Sequence, residues 1–381
     1  MSVTDLAGST DTGFASALAV GADWSDAAKN CLAALPSAPG ANLGFVYVTD
    51  ALADQLSSIV TLFRGVTGVD QWVGSVGMGI VGRGAEVFDR PAIAVLLTTL
   101  PVDAFRLFPA VSDGTAPLEE AAGTWLATRQ PLLGLVHADP RTPRLPELIT
   151  AVARRAGGFL VGGLCASRGE QAVLAGRVAQ GGLSGVLFSD RVALATGLTQ
   201  GCSPIGPTRT VTDAEASIIK EIDGRPALEA LRHDVGELLA NDLERVAGYV
   251  FAGLPIAGSD TGDYLVRNLL GIDPQRGWIA VGEPVARGRP LLFCRRDRAA
   301  AEADLKRMLG QMKRRLGGGT PKGGVYISCI ARGPGLFGDP DHELRAIAEH
   351  LGDFPLAGFY AGGEISHDRL YSYTGVLTLF L

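Results

Sequence analysis

Three short segments carry residue types that could recognise a small charged molecule. The first, Gly201-Cys-Ser-Pro-Ile-Gly-Pro207, follows an apolar, strand-like run. Its glycines and prolines suit a turn whose backbone N–H groups point at an anion, with Cys202 and Ser203 as side-chain contacts and Gly201 and Gly206 allowing close approach. The alternative is a tight connector that binds nothing. No Gly-Lys-Ser/Thr follows, so it is not a P-loop. The second segment pairs Cys329 with Arg332. A thiol at a strand end beside a guanidinium could have a lowered pKa and react. Arg332 could instead grip a ligand carboxylate through two hydrogen bonds. A buried thiol and a surface arginine are the plainer alternative. The third runs from Tyr360 through Gly362 and Gly363 to Glu364. A carboxylate after two glycines is open to whatever approaches the strand end. It could receive a ligand ammonium and complete a zwitterion clamp with Arg332, or it could satisfy loop N–H groups.

Other chemistries find less support. A Cys329–His367 nucleophile pair, with Asp368 nearby, is conceivable, but nothing in the sequence brings thiol and imidazole together. The five histidines show no HxH or HExxH spacing, so neither a metal nor a cofactor is expected. Gly74-Ser-Val-Gly-Met-Gly79 superficially matches a dinucleotide turn, yet Gly77, Gly79 and Gly82 lie in or directly after an apolar strand with no helix opening there. Close backbone packing is the reading that remains. Lys306, Arg307, Lys313, Arg314 and Arg315 crowd one helix end. They form either a partner-docking stripe or a solvated end complementing the helix dipole.

The elements that must position these segments recur. The run 44–49 is a strand, 51–66 an apolar-periodic helix, 72–80 a glycine-loaded strand and 91–99 a strand apolar on both faces. The order returns as 134–138, 145–156, 159–165 and 185–189, and again as 324–329, 341–351, 355–364 and 373–380. These patterns predict a βαββ unit used three times, in an α/β or α+β fold of mixed sheets. A helix over 24–35 precedes the first copy. Between the second and third copies lie a strand at 192–199, a hairpin over 210–222, a helix from 226 to about 234 with a further segment after it, a strand pair at 278–282 and 291–294, and a helix over 299–316. Residues 1–12 read as irregular. The division is expected near residue 224, giving domains 14–224 and 225–381 that are related and tightly associated.

Composition narrows the function classes. Glycine makes up 51 of 381 residues, well above the usual share of about 7%, with no collagen period. The net charge of -6 argues against a nucleic acid partner. The longest apolar run, 92–97, is far short of a membrane span. Five scattered cysteines without CxxC spacing argue against a disulfide scaffold and fit a reduced cytoplasm, the expected location.

Several of these motifs, taken in order, resemble the FIST family (F-box and intracellular signal transduction proteins). The carrying residues are 201–207, Asp223-Gly-Arg-Pro-Ala227, Val266-Arg-Asn-Leu-Leu-Gly271, Ser328-Cys-Ile-Ala-Arg-Gly333, 355–365 and 373–380, with 14–35 similar to the family's opening helix. Ser366-His367 stands where the family pattern has Gly-Pro. The resemblance implies a FIST N plus FIST C sensory module for a small ligand such as an amino acid or small carboxylate, non-catalytic, with its site in a cleft between the two domains and a signalling protein as partner in trans. The short stretch before residue 14 leads to the expectation of a stand-alone module. A cysteine-dependent enzyme and a protein-interaction scaffold are the competing readings.

Overall fold

Strand β2 (Leu43–Thr49) carries a glycine near its start, and after helix α2 (Leu56–Thr67) the chain returns as β3 (Gln71–Gly77), parallel to β2. The same step joins β8 (Pro131–Ala138) to β9 (Phe159–Leu164) through α4 (Leu145–Ala156). It also joins β22 (Gly323–Cys329) to β23 (Leu356–Ala361) through α7 (Gly333–Phe337) and α8 (His342–Leu351). A crossover helix is what a parallel pair requires. The computed structural model describes residues 13–236, 249–256 and 264–381. Residues 1–12, read above as irregular, and the segment expected after the helix ending near 234 lie largely or wholly outside the described residues.

Each parallel pair anchors a six-stranded mixed sheet, and the three sheets share one strand order. On one side lie β6 (Ala92–Thr98) and β1 (Phe14–Val20), β12 (Leu183–Ser189) and β7 (Phe105–Val111), or β26 (Thr374–Phe380) and β13 (Leu194–Gln200), all antiparallel. On the other side lies a hairpin, and it comes from elsewhere in the chain. The hairpin β4–β5 (Gly79–Gly82, Ala85–Phe88) leaves β3 and pairs with β23. Its counterpart β10–β11 (Val173–Ala175, Arg177–Ala179) leaves β9 and pairs with β3. Finally β24–β25 (Glu364–His367, Arg369–Tyr371) leaves β23 and pairs with β9. The exchange is cyclic. It explains why 72–80 and 355–364, each read as one strand, are both split: the chain turns at Met78 and at Gly362-Gly363 and passes to a different sheet.

The inner faces of the three sheets share one core, in which Phe45, Leu135, Val325, Phe359 and Phe380 meet. Tyr47 stacks on Phe359 with centroids 5.1 Å apart, and its hydroxyl lies 3.2 Å from His137 Nε2. Helices cover the outer faces. The first sheet carries α1 (Trp24–Ala34) and α2; the second carries α3 (Ala116–Thr128) and α4. The third carries α6 (Arg298–Leu316) and α8. Strands packed on both faces must be apolar throughout, which is what 91–99 already indicated.

A fourth sheet is inserted between β13 and α6. It comprises β14 (Cys202–Pro204), β15 (Arg209–Glu215), β16 (Ile218–Ile222), β17 (Arg225–Pro226), β18 (Val250–Pro255), β19 (Tyr264–Asp273), β20 (Trp278–Val281) and β21 (Pro290–Arg296), with α5 (Ala227–Val235) packed on it. The hairpin expected over 210–222 is present as β15–β16. The expected pairing of 278–282 with 291–294 is not: β20 pairs with β16 and β19, and β21 with β14, β15 and β18. The architecture is thus mixed α/β, with two domain-like regions, the three-sheet body and the fourth sheet. Strands cross residue 224 in three of the four sheets.

Candidate functional site

The alternation of β22 decides where the first polar group goes. Val325 and Ile327 face the central core, so Tyr326 and Ser328 face the helix layer. There they meet Glu343, in the first turn of α8. Tyr326 Oη donates to Glu343 Oε1 at 2.7 Å, and Ser328 Oγ to Oε2 at 2.9 Å. Arg332 follows β22 through a tight turn and donates to the same Oε1 from Nε at 3.0 Å and Nη2 at 2.7 Å. Both side chains of this ion pair are buried, at 0% and 1% exposure. Burial alone would lower the Arg332 pKa, but the Glu343 charge and hydrogen bonds more than offset it and the guanidinium stays charged. The expectation that Arg332 reaches a ligand carboxylate is corrected here: a carboxylate of the protein itself occupies it.

The rest of the expected clamp is also turned inward. Glu364 is fully buried at the start of β24, with Oε2 accepting from Thr374 N at 3.1 Å and Thr374 Oγ1 at 2.6 Å. Its Oε1 has no partner among the described residues. Burial pushes its carboxyl up to about 8; the Thr374 bonds and Arg332 pull the other way and do not prevail. A neutral acid does not complete a zwitterion clamp. Cys329 lies close to Glu364, and its thiol is raised by burial first and by that carboxylate second, the reverse of an activated nucleophile. His367 stands at the far end of β24, opposite Leu160 and with its ring tilted against Phe159, so no Cys329–His367 pair forms. Its φ of +58° is a left-handed conformation, uncommon for a residue other than glycine.

Gly201 does approach this cluster. A Cβ there would stand 2.7 Å from Tyr373 O and 3.1 Å from Arg332 Nη1. Gly201, Cys329, Arg332 and Glu364 are therefore neighbours in a closed, buried group. Tyr360 faces the same helix layer as Tyr326, its ring against Gly333, and donates to Glu86 in the exchanged hairpin. Gly362 and Gly363 hold the end of β9, with Gly362 N donating to Leu164 O and Leu164 N to Gly363 O. Gly206 is apart from all of these, packed against Asp234. The segment expected as an anion-binding turn is an edge strand instead. Gly201 N already donates to Tyr373 O and Gln200 Oε1, and Ile205 N to Phe293 O, so these amides are not open to an anion.

Cys202 and Ser203 reach an open pocket of about 420 Å³. Leu198, Gln200 and Pro204 continue that wall; Tyr264, Ala300, Ala303, Asp304, Arg307 and Tyr371 form the other. Asp297 caps α6, its side chain accepting from Ala300 N, and so starts the helix whose next turns carry Asp304 and Arg307. Asp304 Oδ2 accepts from Gln200 N at 2.7 Å and Oδ1 from Arg307 Nε at 2.6 Å. Tyr264 Oη donates to Cys202 O at 2.8 Å. Of these residues the basic run on α6 had drawn attention to Arg307 alone. Tyr264, Asp304 and Tyr371 carry no local signal, because their convergence depends on how the fourth sheet docks. No group of three or more His, Cys, Asp or Glu among the described residues is placed to hold a metal ion.

Two buried groups give the protein an opposed pH response. Native Glu364 keeps a proton that the unfolded chain releases above about 4.3. Its contribution is complete below that pH and is lost as pH rises to about 8, by up to about 1.4 kcal/mol per pH unit. His137, driven down to about 3 by burial, stays neutral where the unfolded imidazole charges below about 6.5. Its slope has the other sign, stability falling as pH drops from 6.5 towards 3. The two oppose each other between about 4.3 and 6.5, and only the Glu364 slope remains from there to about 8. Glu364→Gln is expected to flatten the fall in melting temperature between pH 6.5 and 8. An unchanged slope would mean that the carboxyl is ionised in the native state.

A model of the FIST N domain matches residues 42–225, and a model of the FIST C domain matches residues 227–367. The chain is 33% identical over 323 residues to the uncharacterized protein Rv0628c of Mycobacterium tuberculosis (strain ATCC 25618 / H37Rv), covering 81% of this chain and 83% of that one. It is 32% identical over 352 residues to the uncharacterized protein Mb0898c of Mycobacterium bovis (strain ATCC BAA-935 / AF2122/97), covering 87% and 88%.

Proposed function

This chain belongs to the FIST family, and on that premise we propose that it is a non-catalytic sensor of an amino acid or small carboxylate, bound in the pocket beside Cys202 and Ser203. FIST domains are generally implicated in small-molecule sensing and signal transduction. The observation that carries the reading is the pocket itself. Its volume of about 420 Å³ is of the order that suits a small metabolite, and its walls come from segments on either side of residue 224. Arg307 and Asp304 supply opposite charges on the rim. They pair with each other, but with 41% and 25% of their side chains exposed such a bond contributes only about 0.2–1 kcal/mol. Arg307 also donates to Gln311 Oε1 and Leu198 O, so a ligand carboxylate joins a network that already orients the guanidinium. We read the cleft as the join between the two domain-like regions, the three-sheet body and the fourth sheet. The shared strand order of the three sheets supports a duplicated βαββ-containing unit. The output in this reading is a signalling protein bound in trans, in the cytoplasm.

A thermal-shift screen against amino acids and small organic acids tests the proposal. A ligand at 100 times its dissociation constant stabilises by about 2.7 kcal/mol. Ala303→Trp fills the pocket from an exposed helix position and is expected to abolish the shift while changing the unliganded stability by no more than about 0.5 kcal/mol. A shift that survives this substitution places the ligand elsewhere, and a screen without any shift removes the small-acid reading.

A further inference from the structure

A second thiol stands behind the pocket wall. β14 runs antiparallel to β21, with Cys202 opposite Arg296 and Pro204 opposite Cys294. Cys202 and Cys294 are therefore diagonal neighbours on the same sheet face. They share a small apolar cluster with Phe251, Tyr264, Val266 and Leu292. Cys202 is also in contact with the pocket, whereas Cys294 is fully buried behind it. Cys294 Sγ donates to Phe251 O at 3.7 Å, and its thiol is raised by the neighbouring Cys202 first and by burial second. β14 is only three residues long and lies at the sheet edge, so it can shift slightly to bring the two Cα atoms within the roughly 4.4–6.8 Å that a disulfide spans.

From this juxtaposition we infer that Cys202 and Cys294 form a dithiol–disulfide couple that responds to hydroperoxides entering through the pocket. The Cys202 sulfur attacks the peroxide; an S–O bond forms, the O–O bond breaks, and the leaving oxygen takes the thiol proton as an alcohol, or as water from hydrogen peroxide. Cys294 then attacks the Cys202 sulfur. The S–S bond forms, the S–O bond breaks, and the departing hydroxide leaves as water with the Cys294 proton. The two sulfurs lose two electrons in all, and the peroxide gains them. Because Cys202 lines the pocket, the disulfide also alters ligand affinity; that clause alone rests on the ligand-binding reading.

The test uses hydrogen peroxide on the full-length protein, followed by thiol counting and peptide mapping under non-reducing conditions. The expected result is loss of two of the five thiols, a single linkage between the peptides bearing Cys202 and Cys294, and recovery of both thiols with dithiothreitol. Cys294→Ser should leave a Cys202 sulfenic acid that dimedone traps; the wild-type mapping stands without this variant if it misfolds. Five intact thiols under peroxide that oxidises a reference dithiol would overturn the inference. So would a linkage of Cys202 to Cys329. Disulfide formation with no effect on any thermal shift would leave the couple standing and count against the ligand site instead.

Discussion

Gly358→Ala is expected to leave no soluble folded protein. Gly358 lies in the middle of β23, and a Cβ there would stand 1.7 Å from Tyr326 O on the parallel neighbour. That oxygen belongs to the backbone of a central strand, so no side-chain rotation relieves the clash. The strands would have to part in a sheet packed on both faces, at a cost beyond the 4–5 kcal/mol or so that marks the exceptional substitution. Many domains have only about 5–15 kcal/mol in total. Gly74 and Gly162 occupy the matching places in β3 and β9, each 1.8 Å from a carbonyl, of Val46 and Val136 respectively. The same outcome is expected for alanine at either. Gly123, in α3, has nothing within 4 Å of its Cβ position. Gly123→Ala is expected to stabilise by about 0.5–1 kcal/mol. Soluble yield and circular dichroism of the four variants check this, and a folded Gly358→Ala protein would show that the strands can separate.

Arg332→Ala is expected to cost about 3–5 kcal/mol, because it strands Glu343 as an uncompensated buried charge beside Tyr326 and Ser328. Glu343→Ala should cost a similar amount by stranding the guanidinium. Replacing both, Arg332→Met with Glu343→Leu, is expected to be much milder than either alone, since an apolar pair needs no charge compensation. Urea unfolding of the three variants measures the coupling. A solvent-facing arginine that served only a ligand would behave differently, with unliganded stability moving by less than about 0.5 kcal/mol.

The contrast shows what the sequence could convey. Elements written in local periodicity are legible: 145–156 is a helix at just those bounds, and the apolar runs at 44–49, 134–138 and 324–329 are the parallel strands of three sheets. The glycine run that starts at Gly74 could be read as a place of close backbone packing, while the same role of Gly162 and Gly358 emerges only from the paired strands. What stayed hidden depends on partners distant in the chain. Met78 and Gly362-Gly363 look like strand interior, since nothing nearby reveals that the next residues pair with another sheet. Residues 202–204 resemble a turn because their proline and glycine flanks are visible and their pairing with β21 is not. Arg332 suggested a ligand because guanidinium chemistry is general. Only the placement of α8 sets Glu343 opposite it. Cys202, Ser203 and Gly201 were legible as neighbours of something important, but not as standing on different sides of it.

The cyclic hairpin exchange bears on how the protein is made. During synthesis the second sheet, built around β8 and β9, waits for β24–β25, encoded within the last twenty or so residues. Until then the ribosome exports strands whose edges are bare and whose apolar faces are half covered, a state prone to off-pathway association. The many pairings between distant segments also predict slow folding after release. A nascent chain stalled before residue 364 should therefore bind chaperones in proportion to the time it is held there. Proteolysis of such stalled chains would cut the second sheet even though four of its six strands have already been made.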